Sequence, residues 1–290
     1  MSLHREARAP LTTLLRKRSG IFLLLTAIHA LGMVSWGQRT EISPISTTSL
    51  SLKILHDDTA IGAATGFVLE KNNQHYLVTN RHVVLACGQD PNPENVGGWI
   101  CANKLAILHY QIVSQGMSWR WITEDVVDAR GKPRWLEHPN LHGKADLIAL
   151  PLLHTENVQF HPVDLELRKT DIVVSPGDPV SIVGFPFGMA QDAALGLPIW
   201  KTGTVASDPD VNFSGRPMFL VDTTSRQGMS GSPVYAVRTG AYRSTTAQLQ
   251  MSINGVATKF LGVYSEQNVN AELGGVWKAD AVVALYDSLP

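Results

Sequence analysis

The chain has 290 residues, of which 44% are hydrophobic and 17% are charged, and its formal net charge is −1. These proportions are those of a folded protein, and they exclude a disordered tail, a collagen, a coiled coil and a multi-span membrane protein. Because there is no basic excess, a protein that binds nucleic acid through its phosphate backbone is excluded as well.

The first 37 residues have the pattern of a secretory signal. Five basic residues and one acid precede the uncharged run Ile21–Val34, and the small residues Ser35 and Gly37 predict cleavage directly afterwards. An uncleaved anchor over residues 21–37 is the alternative, because such a run is nearly long enough to span a bilayer. In both cases we expect the rest of the chain to be exported, to the periplasm or out of the cell. We expect contact with a membrane only through the uncleaved anchor.

Ten short strand-like runs follow, separated by Gly, Pro, Asn and Asp. Such runs are typical of antiparallel barrels or sandwiches, so the sequence predicts an all-β protein. The runs are SLKIL (51–55), GFVLE (66–70), HYLVT (75–79), LAILHYQIV (105–113), DLIALPL (146–152), PVSIVGF (179–185), IWKTGTVA (199–206), MFLVDT (218–223), SPVYAV (232–237) and TKFLGVYS (258–265).

The segment from about Thr155 to Val174 divides these runs into two comparable halves. We therefore predict a first domain at residues 38–160 and a second at residues 161–290. Apolar residues recur at helical spacing near the C-terminus, at Ala279, Val282, Val283, Tyr286 and Leu289. This spacing predicts a short amphipathic helix packed on the second domain.

The two cysteines, Cys87 and Cys101, flank a polar, turn-rich stretch. In an oxidising compartment a disulfide between them would close a loop of about 15 residues and contribute about 3 kcal/mol. Two unrelated buried thiols are the alternative. Two cysteines are too few for a cysteine-based zinc site, and the sequence contains no HExxH pattern, phosphate-binding glycine motif or dinucleotide fingerprint, so neither a metal nor a cofactor is predicted.

The segment GMSGSPV, Gly228 to Val234, is the strongest local sign of chemistry. A nucleophilic serine needs its hydroxyl on a tight turn, with backbone N–H groups directed at the oxygen that becomes negative during attack. Gly228 permits such a turn, and Ser230 is the candidate nucleophile. Gly-x-Ser-Gly turns also occur in ordinary surface loops, so a base and an acid must accompany the serine.

The positions of the histidines decide in which chain order a serine, a histidine and an acid could form a catalytic site. All ten lie at or before His161, so the α/β-hydrolase order of serine, acid and histidine is excluded, and the order histidine, aspartate, serine remains. His82, at the end of the apolar run in YLVTNRHVV, is the candidate base, and Asp146, at the head of DLIAL, is the candidate acid. Taken singly, His82 could be a core histidine and Asp146 a strand or turn cap. The three residues in the right order favour a triad.

Six segments together resemble successive landmarks of trypsin-like, chymotrypsin-fold serine peptidases. They are TGFVLE, YLVTNRHVV, ADLIALPL, VGFPFGM, WKTGTVA and QGMSGSPVY. The chain is most similar to the bacterial branch that includes HtrA-type and glutamyl-endopeptidase-type enzymes, over about residues 49–264, with no PDZ-sized extension after them. The resemblance implies two antiparallel six-stranded β-barrels, followed here by the short C-terminal helix.

The same resemblance implies a role for each candidate residue. Ser230 would be the nucleophile and His82 the general base and then the acid, while Asp146 would hold the imidazole tautomer. The N–H groups of Gly228 and Ser230 would form the oxyanion hole. The expected reaction is hydrolysis of a peptide bond through an acyl-enzyme.

Specificity is less clearly implied. The resemblance places Thr224 near the base of the primary substrate pocket, and Tyr264 and Ser265 on the strand that forms its wall. Because Thr224 is uncharged, a preference for Arg or Lys is not supported, and Tyr264 stands where glutamate-specific relatives carry histidine. Met229 replaces the aspartate that digestive relatives pair with a newly cut N-terminus, so that route of activation is not expected.

The sequence therefore predicts an exported serine endopeptidase whose partner is a protein or peptide substrate. A catalytically silent module that binds an extended peptide along the strand LGVYS is one alternative. Processing of only its own N-terminal segment, or of one dedicated partner, is another. The oligomeric state and the natural substrate do not follow from the sequence.

Overall fold

The described part of the chain is built almost entirely from antiparallel β-strands. The computed structural model describes residues 42–89, 98–113, 118–191, 196–224, 226–246, 249–268 and 271–290, and Ile42–Pro290 form one compact unit. The predicted signal at residues 1–37 lies outside these residues and stays a prediction. Among the described residues, no helix is long and apolar enough to cross a membrane.

The first half forms an eight-stranded antiparallel sheet. Its strands are β1 (Ser49–His56), β2 (Thr59–Lys71), β3 (Gln74–Thr79), β6 (Lys104–Gln111), β7 (Ser118–Asp125), β8 (Leu136–Glu137), β9 (Ile148–Pro151) and β10 (Val158–Gln159). They are joined in the order β10-β6-β1-β2-β3-β9-β8, with β7 paired to β6. A separate two-stranded ribbon is formed by β4 (Cys87–Gln89) and β5 (Trp99–Cys101).

The second half closes into a six-stranded barrel in the order β11-β12-β13-β16-β15-β14. Its strands are β11 (Pro179–Gly184), β12 (Ile199–Val205), β13 (Met218–Asp222), β14 (Pro233–Arg243), β15 (Leu249–Asn268) and β16 (Leu273–Lys278). The described chain also contains two α-helices, α1 (Arg81–Val84) and α2 (Ala279–Ser288), and five short 3₁₀ helices.

The all-β prediction is confirmed, and each of the ten predicted runs overlaps a strand. The six-stranded barrel expected in each half is found in the second half. In the first half the sheet has eight strands instead of six, among them the two-residue strands β8 and β10. The predicted domain boundary after residue 160 lies between the last strand of the first sheet and β11.

Alternation along β2 sends its side chains into two different cores. Val68 packs in the core of the first sheet with Leu52 and Leu77. Phe67 and Leu69 point the other way, into a cluster shared with second-barrel residues such as Phe260, and the rings of Phe67 and Phe260 meet edge to face at 6.1 Å. β2 therefore belongs to the first sheet, and one of its faces also packs against the second barrel.

The C-terminal helix α2 was predicted at this place and packs into the shared core through Val282 and Leu285. Its C-terminal carbonyls are capped from the other half of the molecule. The Nζ of Lys71, at the end of β2, donates to the carbonyls of Tyr286 at 3.1 Å, Asp287 at 2.9 Å and Leu289 at 2.6 Å. A cation is favourable there because the last carbonyls of a helix carry partial negative charge and have no partners within the helix.

Replacing this cap should destabilise the fold. Lys71→Met keeps the apolar stem but removes three charge-assisted hydrogen bonds, and we expect a loss of about 1–2 kcal/mol in the free energy of unfolding. Urea unfolding measures this. The matched control is Lys132→Met, which removes a lysine from an exposed loop; an equal loss in both variants would contradict the capping role.

Candidate active site

The predicted base and acid are brought together by the pairing of two strands. β3 pairs with β9, and Thr79 stands opposite Ile148. Asp146 lies two residues before β9, and His82 lies in α1, three residues after Thr79. His82 is thus held by a one-turn helix that directly follows the strand, where the sequence analysis expected the end of the strand itself.

The Asp146 carboxylate accepts three hydrogen bonds. Oδ2 lies 2.7 Å from His82 Nδ1, Oδ1 accepts the His82 backbone N–H at 2.8 Å, and the Ser265 hydroxyl donates to Oδ2 at 2.6 Å. The side chains of His82 and Asp146 are 42% and 25% exposed, so the imidazole reaches solvent while the carboxylate lies mostly beneath it. The carboxylate therefore sets both the position and the orientation of the ring.

These contacts also set the ionisation of Asp146. Burial by itself would raise the pKa of the Asp146 carboxyl. The hydrogen bonds and charge of His82, together with the Ser265 hydroxyl, outweigh burial and hold that pKa below its ordinary value. Because an ionised carboxylate can only accept, the hydrogen on the His82 ring is assigned to Nδ1, and Nε2 is then left with a lone pair.

Ser230, the predicted nucleophile, lies on a tight turn. Gly228 has a φ of 96°, in the left-handed region that favours glycine. The Met229 N–H donates to the Arg226 carbonyl at 3.2 Å. The N–H groups of Gly228 and Ser230 have no acceptor among the described residues. Two N–H groups on one turn therefore have no acceptor within the described chain, and their assignment to an oxyanion hole stays a prediction.

The turn is held between the two halves of the fold. On one side, the Thr65 N–H of β2 donates to the Ser230 carbonyl at 2.9 Å, and the Thr65 hydroxyl donates to the Gly228 carbonyl at 2.8 Å. On the other side, the Gly231 N–H donates to the Tyr264 carbonyl of β15 at 3.0 Å. Ser265, the next residue of β15, binds Asp146. A continuous set of contacts therefore links Ser230 to Asp146.

The three residues predicted for the substrate pocket have different surroundings. Thr224 is exposed, two residues after β13. Tyr264 is 2% exposed and packs in the barrel core in a cluster that includes Met229. The Ser265 hydroxyl is bonded to Asp146 and so positions the carboxylate. The assignment of Thr224 and Tyr264 to a pocket stays a prediction.

Two further residues that the sequence analysis did not assign hold the site together. Thr65 binds the turn that carries Ser230, and its hydroxyl also accepts the Phe185 N–H at 3.0 Å. Asn80, the residue before α1, donates from Nδ2 to the Asp146 carbonyl at 2.8 Å. Both lie inside segments that carried the family resemblance, TGFVLE and YLVTNRHVV, and their roles depend on contacts that span 66 residues or more.

The predicted cysteine pair lies close to this site. Cys87 and Cys101 stand opposite each other in the ribbon of β4 and β5, and their sulfurs are bonded. Because Cys87 follows His82 by five residues, the disulfide ties the chain that leaves α1 to the strand that leads into β6.

A separate cavity of about 540 Å³ lies on the second barrel, lined by residues that include Arg168, Lys259 and Lys278. It contains none of the predicted site residues. Within the described part of the chain, no three His, Cys, Asp or Glu side chains are grouped so that they could hold a metal ion.

The geometry can be set beside known families. The model of the family described as "Trypsin-like peptidase domain" matches residues 64–242, which is more than half of the chain and includes His82, Asp146 and Ser230. No curated protein sequence matches the chain.

Several solved protease structures are similar to it. A serine endoprotease from Yersinia pestis is 14% identical with a TM-score of 0.42; the match covers 83% of this chain and 64% of that one, so the chain spans less than two thirds of its length. A mutant of the tobacco etch virus protease is 13% identical with a TM-score of 0.42, covering 82% and 76%. A human pathogenic astrovirus serine protease is 13% identical with a TM-score of 0.35, covering 82% and 91%.

The hydrogen bonds to Asp146 predict a dependence of stability on pH. Since its pKa is lower in the folded protein than in the unfolded chain, the native state binds fewer protons in the acid range. The resulting stability is present above the unfolded pKa of about 3.9 and is lost as the pH falls through the folded value.

We therefore expect the free energy of unfolding to fall less steeply on acidification in Asp146→Asn than in the parent. Urea unfolding in steps from about pH 6 to pH 3 measures the slope. The control is Asp58→Asn, at an exposed position in the turn between β1 and β2, which should keep the parent slope. Equal slopes in all three proteins would refute the role given to these hydrogen bonds.

We expect removal of the Thr65 hydroxyl to lower the free energy of unfolding by more than the loss of one small polar group usually does. Thr65→Val keeps the shape of the side chain but leaves the Phe185 N–H and the Gly228 carbonyl without their partner in a buried place, at a cost of about 1–3 kcal/mol for each group. Urea unfolding should show this loss for Val and a much smaller one for Thr65→Ser, which keeps the hydroxyl. Similar stabilities of the two variants would count against the role of the hydroxyl.

Proposed function

The chain belongs to the family of trypsin-like peptidase domains, and from this membership we propose that it is an exported serine endopeptidase that cuts peptide bonds through an acyl-enzyme. The observation that carries the proposal is the pair of hydrogen bonds by which one carboxylate, Asp146, holds both the backbone and the ring of His82. The export follows from the predicted signal at residues 1–37. The likeness to the bacterial HtrA-type and glutamyl-endopeptidase-type branch is part of the same proposal.

The first chemical step is attack on the scissile carbonyl. With its ring hydrogen on Nδ1, His82 can take the Ser230 hydroxyl proton on Nε2 while the serine oxygen bonds to the carbonyl carbon. The electron pair of the carbonyl π bond moves onto the oxygen. Asp146 stays ionised and stabilises the imidazolium that forms.

The oxygen that becomes negative is bound by the N–H groups of Gly228 and Ser230. Donors that are already oriented need no reorganisation during the reaction, and the loss of one such donor costs a factor of about 10²–10³ in comparable sites. The free N–H groups on the turn and its attachment to Thr65 support this role. Thr65 acts through the turn and is a positioning residue.

Collapse of the intermediate breaks the bond to the leaving amine, which takes the proton from His82. The acyl group remains as an ester on Ser230. A water molecule then attacks this ester, with His82 again accepting a proton, and the acid product leaves as the serine regains its hydrogen. Ser265 and Asn80 position Asp146 throughout the cycle without contacting substrate.

The proposed substrate is a protein or peptide whose residue before the cut is neutral. Neither Thr224 nor Tyr264 carries a charge, and burial of the Tyr264 ring in the barrel leaves no cation or anion at that position to pair with a charged side chain. Cleavage of the chain's own N-terminal segment remains a special case of the same activity.

A fluorophosphonate probe, which reacts with activated serines, tests the proposal. We expect the purified full chain to be labelled and to cut denatured casein, whereas Ser230→Ala and His82→Ala should lose labelling and at least about 10⁴-fold in proteolysis. Ser118→Ala, on β7, is the matched control and should behave like the parent. A folded parent that is neither labelled nor active would instead support the silent binding module.

A further inference from the structure

The candidate acid, Asp146, lies in the loop of residues 138–147, which joins β8 to β9. The two ends of this loop are close together, because Glu137 of β8 stands opposite Ile148 of β9. Loops are in general more mobile than the strands they join. The position of Asp146 against the candidate base therefore depends on contacts that hold the loop itself.

The residue before the candidate base binds the residue before this loop. Arg81 Nε donates to Glu137 Oε1 at 2.9 Å, and the two side chains are 31% and 30% exposed. A Cβ placed on Gly143, inside the loop, would lie 3.3 Å from Arg81 Nη2, so the backbone of the loop packs against the guanidinium. Arg81 therefore holds the start of the segment, while its neighbour His82 binds the end of the segment at Asp146.

A buried histidine closes the loop from inside. His138 is 4% exposed, and its Nδ1 accepts the N–H groups of Asn140 and Leu141, both at 3.3 Å. The His138 carbonyl accepts the His142 N–H at 2.8 Å. Nδ1 can accept only when it carries no hydrogen, so the ring is neutral and its hydrogen is assigned to Nε2. Burial lowers the pKa of the His138 imidazole, and His142 lowers it further, which favours the neutral ring.

The closed loop leads directly to the candidate acid. It continues into a single 3₁₀ turn, His142–Lys144, and the Ala145 N–H donates to the His142 carbonyl at 3.0 Å. Ala145 is fully buried in the core that the two halves share, and Asp146 comes next. The hydrogen bonds of His138 and those of the turn therefore form one continuous support for the carboxylate.

We propose that Arg81 and His138 are positioning residues that place Asp146 against His82. This inference rests on the proposed function. Neither side chain reacts in the mechanism given above, and each acts through the carboxylate. Their effect on the rate is large because a catalytic group misplaced by about 1 Å can cost a factor of about 10².

The rate of fluorophosphonate labelling of the purified full chain measures this effect without knowledge of the natural substrate. Arg81→Met removes the hydrogen bond to Glu137, and His138→Leu leaves two N–H groups of the loop without their acceptor. We expect each variant to be labelled about 10–100-fold more slowly than the parent.

Stability and a matched ion pair serve as controls for Arg81→Met. Its midpoint of urea unfolding should stay close to that of the parent, because a partly exposed ion pair contributes little to stability. Arg168→Met breaks another ion pair, with Asp280 of α2, whose arginine is 30% exposed. This variant should keep the parent labelling rate.

A conservative variant separates hydrogen bonding from packing at His138. The Oδ1 of asparagine is as many bonds from the backbone as the Nδ1 of histidine, and asparagine commonly accepts backbone N–H groups two and three residues further on. We therefore expect His138→Asn to keep a labelling rate close to that of the parent. If His138→Leu does not fold, as circular dichroism would show, the rate of His138→Asn still tests the role of the acceptor.

A double-mutant cycle shows whether Arg81 acts through the carboxylate of Asp146. In an Asp146→Asn background, whose slow labelling is followed at high probe concentration, Arg81→Met should have little further effect. A general disturbance of the structure would instead lower the rate by the same factor in both backgrounds.

The outcomes separate this inference from the proposed function. If the parent is labelled and cuts casein, but Arg81→Met keeps the parent rate or slows both backgrounds equally, the role of Arg81 is overturned. A folded His138→Asn that is labelled about 10–100-fold more slowly than the parent overturns the role of the His138 acceptor. In both cases the peptidase activity stands. If the parent is neither labelled nor active, the proposed function fails and this inference fails with it.

Discussion

The attachment of the Ser230 turn to β2 is the constraint on which the candidate site depends. His82 and Asp146 belong to the first sheet, whereas Ser230 belongs to the second barrel, so no local interaction can set the distance between them. Thr65 joins the two by binding both the Ser230 carbonyl and the Gly228 carbonyl. A single buried residue thus fixes the position of the candidate nucleophile relative to β2. β2 is followed by a tight turn and β3, and β3 leads to the candidate base.

This attachment holds because the two halves share a hydrophobic core. β2 sends Phe67 and Leu69 into a cluster with Phe260 and the C-terminal helix, and Lys71 caps the end of that helix. The apolar packing supplies most of the attraction, since it scales with the buried area and has no direction. The hydrogen bonds of Thr65 and Lys71 are directional. They therefore select one of the many orientations in which the two apolar faces could pack.

Two strands and the contact between Ser265 and Asp146 were not predicted from the sequence, for identifiable reasons. β7 was missed because Glu124 is fully buried where alternation would require an apolar residue; its Oε1 accepts the N–H groups of Leu153 and His154. β16 was missed because Gly274 and Gly275 indicate a turn, whereas Gly274 leaves space for the Tyr264 ring. Ser265 was assigned only to a pocket wall, which stays a prediction, and the bond from its hydroxyl to Asp146, 119 residues earlier in the chain, was not foreseen.

The sequence by itself determined the all-β class, ten strand positions, the C-terminal helix and the order His82, Asp146, Ser230, because local alternation, turn residues and short motifs are properties of neighbouring residues. Tertiary structure decided what depends on distant residues. It joined β3 to β9 so that one carboxylate contacts both the backbone and the ring of His82, and it placed Thr65 against the turn that carries Ser230. Such contacts follow from strand register and inter-barrel packing, which leave no mark in a local stretch of sequence.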